Sequence, residues 1–160
     1  MRSGFIFLLL FNCSVFAQQK FQSLDSAGLE IGYEGYVDFH YVGDFNHAKD
    51  NFRPFNSNPI HVNQFGLAYS YAQVAFEYRR MTAKAAFHTG EIVDLMYAGE
   101  NGLLKVIREM SFTYRLTYKM EIEAGIFPAI YGAETFINKD NLHATRAVMT
   151  DFAPDFETGM

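Results

Sequence analysis

The chain has 160 residues, a mass of 18.3 kDa and a formal net charge of −5, a length that suits one domain. Hydrophobic residues make up 49% of it, which excludes disorder caused by low hydrophobicity. Charged residues make up 19%, against roughly 25% in typical soluble domains. A mean hydropathy close to zero argues against a bundle of transmembrane helices, and the 18 acidic against 13 basic residues argue against a nucleic-acid partner.

The first segment is typical of a secretory signal peptide. Arg2 is basic, residues 5–11 form an unbroken apolar run, and residues 15–17 place small or β-branched residues at positions −3 and −1 of a cleavage point. The apolar run is too short to cross the roughly 30 Å of hydrocarbon in a bilayer. We therefore predict a helical signal peptide of residues 1–17.

The only cysteine, Cys13, lies inside this segment. Asn12 precedes it where a lipoprotein signal would have a small residue, which favours ordinary cleavage. The remaining chain would contain no cysteine, and this disfavours a small disulfide-stabilised scaffold. Residues 18–28 are polar without a period and are expected to lead into the first strand.

Residues 29–42 alternate between apolar and polar side chains, which predicts a strand. The odd positions are mainly aliphatic or aromatic, and the even positions include Glu30, Glu34 and Asp38. Strands of soluble proteins have about five or six residues, whereas about 9–11 residues cross a membrane when tilted. The length of this strand is therefore typical of one that spans a membrane.

Alternation then returns along the chain and predicts strands over residues 65–78, 83–97, 104–116 and 120–128, with another beginning near residue 156. The apolar set changes phase near Ala72 and Gln73, which indicates either a β-bulge or two separate strands. Short turns are predicted at residues 79–80, 99–102 and 117–119, and a long loop at 43–60. Residues 140–150 predict a short helix with Asp140 as its N-cap.

This pattern gives each strand one apolar and one polar face. A soluble sandwich would pack the apolar face in a core, whereas an outer-membrane barrel would turn it to lipid and the polar face to the lumen. The long strands, the alternation of short turns with long loops, and the aromatic residues near strand ends favour the barrel. Arg108 falls on the apolar face, as expected near lipid headgroups.

The expected fold is all-β, an antiparallel meander of an outer-membrane β-barrel with one short helix in a long loop. Residues 29–160 would form the N-terminal part of a barrel domain after the lead-in of residues 18–28. We count five or six strands, fewer than the eight that closed barrels usually need, so further strands are expected beyond residue 160.

The charged side chains on the polar face are the candidate lumen-facing residues. Glu30, Glu34 and Asp38 form an acidic strip that favours cations in a pore, or else a solvated strand face. Lys84, Lys105 and Arg115 offset these acids, so charge selectivity stays open. The full set consists of Glu30, Glu34, Asp38, His40, Lys84, Lys105, Glu109, Arg115, Glu121 and Glu123.

Neither an enzyme site nor a cofactor or metal site is predicted. Glu121 and Glu123 are a carboxylate pair, but no acid–base partner lies near them in the sequence. The five histidines lack the spacing of a zinc site, and residues 44–50 lack that of a calcium loop.

Residues 138–151 form a second candidate region. In a porin-like barrel a loop of this length can fold into the lumen and narrow it, and Lys139 and Arg146 would then contact passing anions. The alternative is a helix packed on the extracellular rim.

An ordered set of motifs also resembles a known family, the OmpL-like beta-barrel porins of Bacteroidetes outer membranes. The motifs are residues 35–38 (GYVD), 44–46 (DFN), 53–55 (RPF), 63–65 (NQF), 124–128 (AGIFP), 131–134 (YGAE), 139–141 (KDN), 145–146 (TR), Met149, Pro154 and 157–159 (ETG). The resemblance implies an outer-membrane channel for passive diffusion of small polar solutes. It implies no substrate identity and no catalytic residues.

Two other functions remain open at this point. One is a barrel without a channel, acting as an adhesin or assembly component through its long loops, and the other is a secreted β-sandwich that binds sugar or lipid. The barrel interpretation places the protein in the outer membrane, in contact with lipid and lipopolysaccharide. Its other expected partners are small polar solutes or ions, and nucleic acid is not one of them.

Overall fold

The computed structural model describes residues 9–23, 28–44, 51–52, 61–100, 102–129, 134–135, 137–141 and 156–160. Its strands are β1 (Leu9–Ser23), β2 (Leu29–Gly43), β3 (Phe65–Tyr78), β4 (Met81–Thr89), β5 (Ile107–Arg115), β6 (Glu121–Pro128) and β7 (Phe156–Gly159). Each strand pairs antiparallel with the next, in a single sheet of order β1 to β7. β1 and β7 are its two edges, so the described sheet is open. The antiparallel meander is confirmed.

From Leu29 onward the structure has six strands, which agrees with the five or six expected, and an additional strand precedes Leu29. β1 covers Leu9–Ser23 and pairs with β2 from Leu9↔Gly43 onward. Residues 9–17 are therefore extended where the sequence predicted a signal helix, and residues 1–8 lie outside the described residues. The unsatisfied backbone groups along the edge of β2 explain this pairing, since a free edge accepts an additional strand.

β4 ends at Thr89, earlier than the predicted residue 97, because a helix begins there. Helix α1 spans Glu91–Met96 and follows Gly90, whose φ is 136°. A Cβ atom at Gly90 would lie 2.6 Å from the carbonyl oxygen of Ala68. Only glycine fits this turn, which breaks the strand and starts the helix.

β5 also begins later than predicted. A 3-10 helix covers Gly102–Val106, and the strand starts at Ile107 instead of residue 104.

Three other boundaries are confirmed: the turn at Arg79 and Arg80, the end of β6 at Pro128, and a strand starting at Phe156. Residues 142–150, most of the predicted helix, lie outside the described residues. A 3-10 helix at Asn138–Asp140 precedes them.

The register gives the sheet two faces of opposite chemistry. On the apolar face, partners across the strands are aliphatic and aromatic side chains such as Tyr33, Val74, Ala85, Met110 and Ile126. The opposite face, which we call the polar face, has most of the charged side chains of the strands. Many large side chains of the apolar face are exposed, from 38% for Val74 to 79% for Phe65.

The phase change in β3 has a cause other than the predicted bulge or strand break. Pairing with β2 and β4 runs without interruption through Ala72 and Gln73. The bulge lies at Ala68, between the pairs Asp38↔Tyr69 and Phe39↔Leu67. Tyr69 and Tyr71 consequently lie on the polar face, so two aromatic residues are found where alternation predicts polar ones.

These tyrosines belong to the hydrophobic cluster of the described structure. The cluster contains Tyr36, Tyr69, Tyr71, Ile92, Val93, Tyr97 and Ile137, and Met96 and Phe156 pack against it. Three of its members come from the polar face of β2 and β3, and three from α1 and the residue after it. Helix α1 therefore packs on the polar face. In the described part of the chain, no helix is long and apolar enough to cross a membrane.

Candidate functional site

The polar face is the candidate functional site, and it consists of two halves. The turn half, at the Arg79–Arg80 turn, has one row of partners across the sheet formed by Glu30, Glu77, Thr82, Thr113 and Glu123. The loop half, at the opposite end, comprises Tyr36, Asp38, His40, Tyr69, Tyr71, His88 and helix α1. Between the halves lies a row of Glu34, Gln73, Ala86 and Glu109.

The turn half contains a cavity of about 140 Å³. The cavity is lined by Glu77, Arg79, Arg80, Thr82, Lys84, Thr113, Arg115, Glu121 and Glu123. All nine are polar or charged. They come from four adjacent strands and the turn between β3 and β4, because the short hairpins bring these strand ends together.

A network of charged side chains connects the two halves. Lys84 Nζ lies 3.1 Å from Glu109 Oε1, and the Ser111 hydroxyl donates a hydrogen bond to the same oxygen at 3.2 Å. Arg108 Nη1 lies 3.9 Å from Glu109 Oε2 and donates to Gln73 Oε1 at 2.9 Å. Glu109 is 5% exposed, so its buried charge is balanced by two cations.

Arg108 occupies a bulge, and this corrects its expected position on the apolar face. It has no partner in β4, because Ala86 pairs with Glu109 and Phe87 with Ile107. Its guanidinium lies 4.4 Å from the centre of the Tyr71 ring, on the polar face. The Tyr71 hydroxyl in turn donates a hydrogen bond to Glu34. The bulge therefore adds a cation to the polar face.

Aromatic rings fill the loop half beneath α1. The Tyr36 ring lies 5.9 Å from that of Tyr71 and 6.4 Å from that of Tyr69. His88 lies 4.9 Å from the Tyr97 ring, and its Nδ1 is 3.2 Å from the Tyr69 hydroxyl. Contacts at such distances between offset or tilted rings are favourable beyond their buried area.

The first residue of α1 lies between two histidines. Glu91 Oε2 is 3.7 Å from His40 Nε2 and 3.4 Å from His61 Nδ1. Gly66 provides the space for this arrangement, since a Cβ atom there would lie 2.7 Å from His40 Cε1 and would also collide with Glu91 Oε1. These contacts fix the start of α1 over β2 and β3.

A second connecting segment also reaches the polar face. Asn138 donates a hydrogen bond to Asp38 Oδ2, and the adjacent Ile137 is buried in the hydrophobic cluster. Asn141 accepts a hydrogen bond from the Thr135 backbone at 2.9 Å and so closes a local turn. Residues 137–141 therefore lie over the loop half, beside α1.

The register places nine of the ten predicted lumen-facing residues on the polar face: Glu30, Glu34, Asp38, His40, Lys84, Glu109, Arg115, Glu121 and Glu123. Lys105 is the exception, because it lies in the 3-10 helix before β5. Its Nζ is 2.7 Å from Asp94 Oδ1. Arg146 and the side chain of Lys139 lie outside the described residues.

Sequence reasoning missed helix α1 and the tyrosine cluster. One signal was available: Ile92, Val93, Met96 and Tyr97 have the i, i+1, i+4, i+5 spacing of a helix face and follow a glycine. Nothing local marked Tyr36, Tyr69 and Tyr71 as the surface on which it packs. Among the residues that the structure describes, no three His, Cys, Asp or Glu side chains are arranged to hold a metal ion.

Comparison with known proteins agrees with this architecture. The model of the family described as "Putative beta-barrel porin-2, OmpL-like" matches residues 30–160. The match begins in β2, so β1 precedes it. Neither a curated protein nor a solved structure matches the chain. Because the match covers most of the chain, and the described strands form an antiparallel meander with an exposed apolar face, the chain belongs to the OmpL-like beta-barrel porin family.

Proposed function

We propose that this protein is an outer-membrane porin through which small polar solutes diffuse passively, and that it is not an enzyme. The observation that supports this most strongly is the exposure of the apolar face. Side chains such as Phe76, Phe87 and Phe112 are 43–47% exposed, and each has at least two strand residues on either side. A sheet with an extended apolar surface on one side and charges on the other suits lipid outside and water inside.

Strand length supports the same proposal. β2 has 15 residues and β3 has 14, whereas about 9–11 residues suffice for a tilted membrane strand. The nine residues on the polar face are then proposed to line the lumen. The short hairpins at Arg79–Arg80 and residues 116–119 are proposed to face the periplasm, since barrels of this class have short periplasmic turns.

Helix α1 is proposed to narrow this lumen. It packs on the polar face and not on a rim, with Ile92 and Val93 at most 2% exposed against the tyrosines. The constriction predicted from Lys139 and Arg146 is proposed as a second narrowing, supported by the contact of Asn138 with Asp38. Its test is the reversal potential of Arg146→Glu in a salt gradient, since an unchanged ion selectivity would contradict a role for this residue.

The signal peptide is proposed to be residues 1–17, cleaved before Gln18. The family match starts at residue 30 and does not include the segment. N-terminal sequencing of the protein from outer membranes tests this proposal. A mature chain that begins before residue 9 would retain β1 and contradict it.

Channel activity is tested with the full-length protein in planar bilayers. We expect stepwise ohmic currents in potassium chloride, and swelling of liposomes in small sugars or amino acids. Matched liposomes prepared with heat-denatured protein provide the control. A folded, membrane-inserted protein without current or solute flux would contradict the porin proposal and favour a barrel that acts by binding.

Lipid contact is tested by placing a charge on the apolar face. Met110 lies mid-strand in β5 and is 46% exposed, whereas Tyr118 lies in a hairpin turn and is 87% exposed. We expect Met110→Arg to destabilise the protein in vesicles by about 2–4 kcal/mol and Tyr118→Arg by about 0–1 kcal/mol. Urea titration in vesicles measures both. Equal destabilisation by Met110→Arg and Tyr118→Arg would show that the apolar face does not contact the hydrocarbon of the bilayer.

The narrowing by α1 is tested with Ile92→Asp. A carboxylate in this buried position lacks a partner and destabilises the packed state of the helix by about 3 kcal/mol. The ratio of packed to released helix then falls by about 100-fold. We expect a larger single-channel conductance than in the wild type. Leu95→Asp is the matched control, because Leu95 is an exposed residue of the same helix. Unchanged conductance in a folded Ile92→Asp protein would place α1 away from the solute path.

A further inference from the structure

The cavity of the turn half has a lining of balanced charge. Lys84 is neutralised by Glu109, 3.1 Å away. The six other ionisable side chains of the lining are three arginines and three glutamates: Arg79, Arg80, Arg115, Glu77, Glu121 and Glu123. A lining of this kind has no net preference for either sign of charge, although it contains full charges of both signs.

The six charges do not neutralise one another. Within the described chain, none of the ion pairs at 4.0 Å or less joins two of them. Arg79 stacks on the Tyr78 ring at 5.0 Å, and Arg80 donates to the carbonyl oxygen of Leu116 at 3.3 Å. Arg115 pairs with Glu121 across β5 and β6 only through the backbone register. The charged groups are therefore available to a solute.

The register brings acidic and basic side chains into two neighbouring rows of the sheet. Thr82 and Thr113 occupy the centre of one row, with Glu77 on one flank and Glu123 on the other. Arg115 follows Thr113 two positions along β5, one row closer to the turns. Adjacent strands lie about 4.8 Å apart. Arg115 therefore lies directly opposite Glu121 and diagonal to Glu123, and two hydroxyl groups lie between the acidic flanks.

We propose that this cavity is a transient binding site for small zwitterions of the amino-acid class, which present an ammonium and a carboxylate in one molecule. Arg115 binds the carboxylate, Glu123 binds the ammonium, and the hydroxyl of Thr113 bonds to either. A simple anion or cation would gain one contact and meet the opposite charge as well, so a zwitterion matches the lining better. The inference rests on the proposed channel function and adds a solute class to it.

The experiment measures potassium chloride current through the full-length protein in a planar bilayer while glycine is added. Acetate and methylammonium, each with one of the two charges, are the comparison solutes. The variants are Arg115→Gln and Glu123→Gln. The matched controls are Lys119→Gln, in the neighbouring turn, and Glu100→Gln, in the segment after α1 and outside the cavity lining.

We expect glycine to reduce the current at lower concentration than acetate or methylammonium. Arg115→Gln and Glu123→Gln should each raise the half-blocking concentration of glycine about tenfold, as expected for the loss of one charged hydrogen bond. The two controls should not change it. Block by acetate at least as strong as by glycine, or equal glycine block in all variants, would overturn the inference. A channel that conducts without glycine block would overturn it while leaving the porin proposal intact, whereas absence of current would contradict the porin proposal itself.

Discussion

The two halves of the polar face belong to the same strands, yet their chemistry differs. In the turn half, Glu77, Arg115 and Glu123 surround a cavity. In the loop half, Tyr36 and Tyr69 are fully buried under α1. Alternation fixes which face a side chain occupies, but it does not fix whether water or another segment covers that face. One face of the same sheet therefore contains both a charged cavity and a small hydrophobic core.

The largest expected effect is in the loop half. Tyr36 contacts both Tyr69 and Tyr71 and is fully buried. We expect Tyr36→Ala to lower the free energy of unfolding by about 3–5 kcal/mol, because truncating a large buried aromatic residue leaves a cavity. Urea unfolding in detergent measures the change, with Tyr118→Ala as the exposed aromatic control. If Tyr36→Ala lowered the free energy of unfolding by less than Tyr118→Ala, the hydrophobic cluster would not stabilise the fold.

An intermediate effect is expected where the halves meet. Glu109→Gln removes the charge that balances Lys84 and Arg108, and we expect a loss of about 2 kcal/mol because two partly buried cations lose their partner. Glu77→Gln, in the turn half, is the control and should have little effect. A double-mutant cycle with Lys84→Met measures the coupling. Additive losses from the two substitutions would argue against an energetic link between these residues.

The smallest expected effect is in the turn half. Arg115 is exposed and makes no ion pair with any described residue, so Arg115→Gln should change the free energy of unfolding by less than about 0.5 kcal/mol. The same urea titration measures it. A loss comparable to that of Glu109→Gln would show that the charges of the turn half hold the sheet together, and the distinction between the halves would disappear.

Much of the sheet could be predicted from the sequence, because a strand has a strict period of two residues. That period assigned Glu30, Glu34 and Asp38 to one face, and it assigned Glu121 and Glu123 to the same face although three strands lie between β2 and β6. The tight turns were predictable for a similar reason, since hairpin geometry depends on a few consecutive residues.

The remainder depends on contacts between distant residues. Tyr69 and Tyr71 are buried on the polar face because Ile92 and Val93 pack against them, and no periodicity within β3 reports a helix that follows β4. Lys105 was misplaced for a related reason. The alternation around it continues that of β5, although the chain forms a 3-10 helix until Val106. Arg108 forms a bulge between Ile107 and Glu109, and after this bulge Glu109 pairs with Ala86 on the polar face.

That bulge also bears on how the chain can change length during evolution. Deleting one residue inside a regular strand exchanges the faces of every residue up to the next turn, and thus moves charged side chains to the apolar face. Arg108 is different, because it is not paired with any residue of β4. If it were deleted, Ile107 and Glu109 would still pair with Phe87 and Ala86. The same holds for Ala68 between Leu67 and Tyr69. These two positions are where β3 and β5 can lose a residue without inverting the sheet.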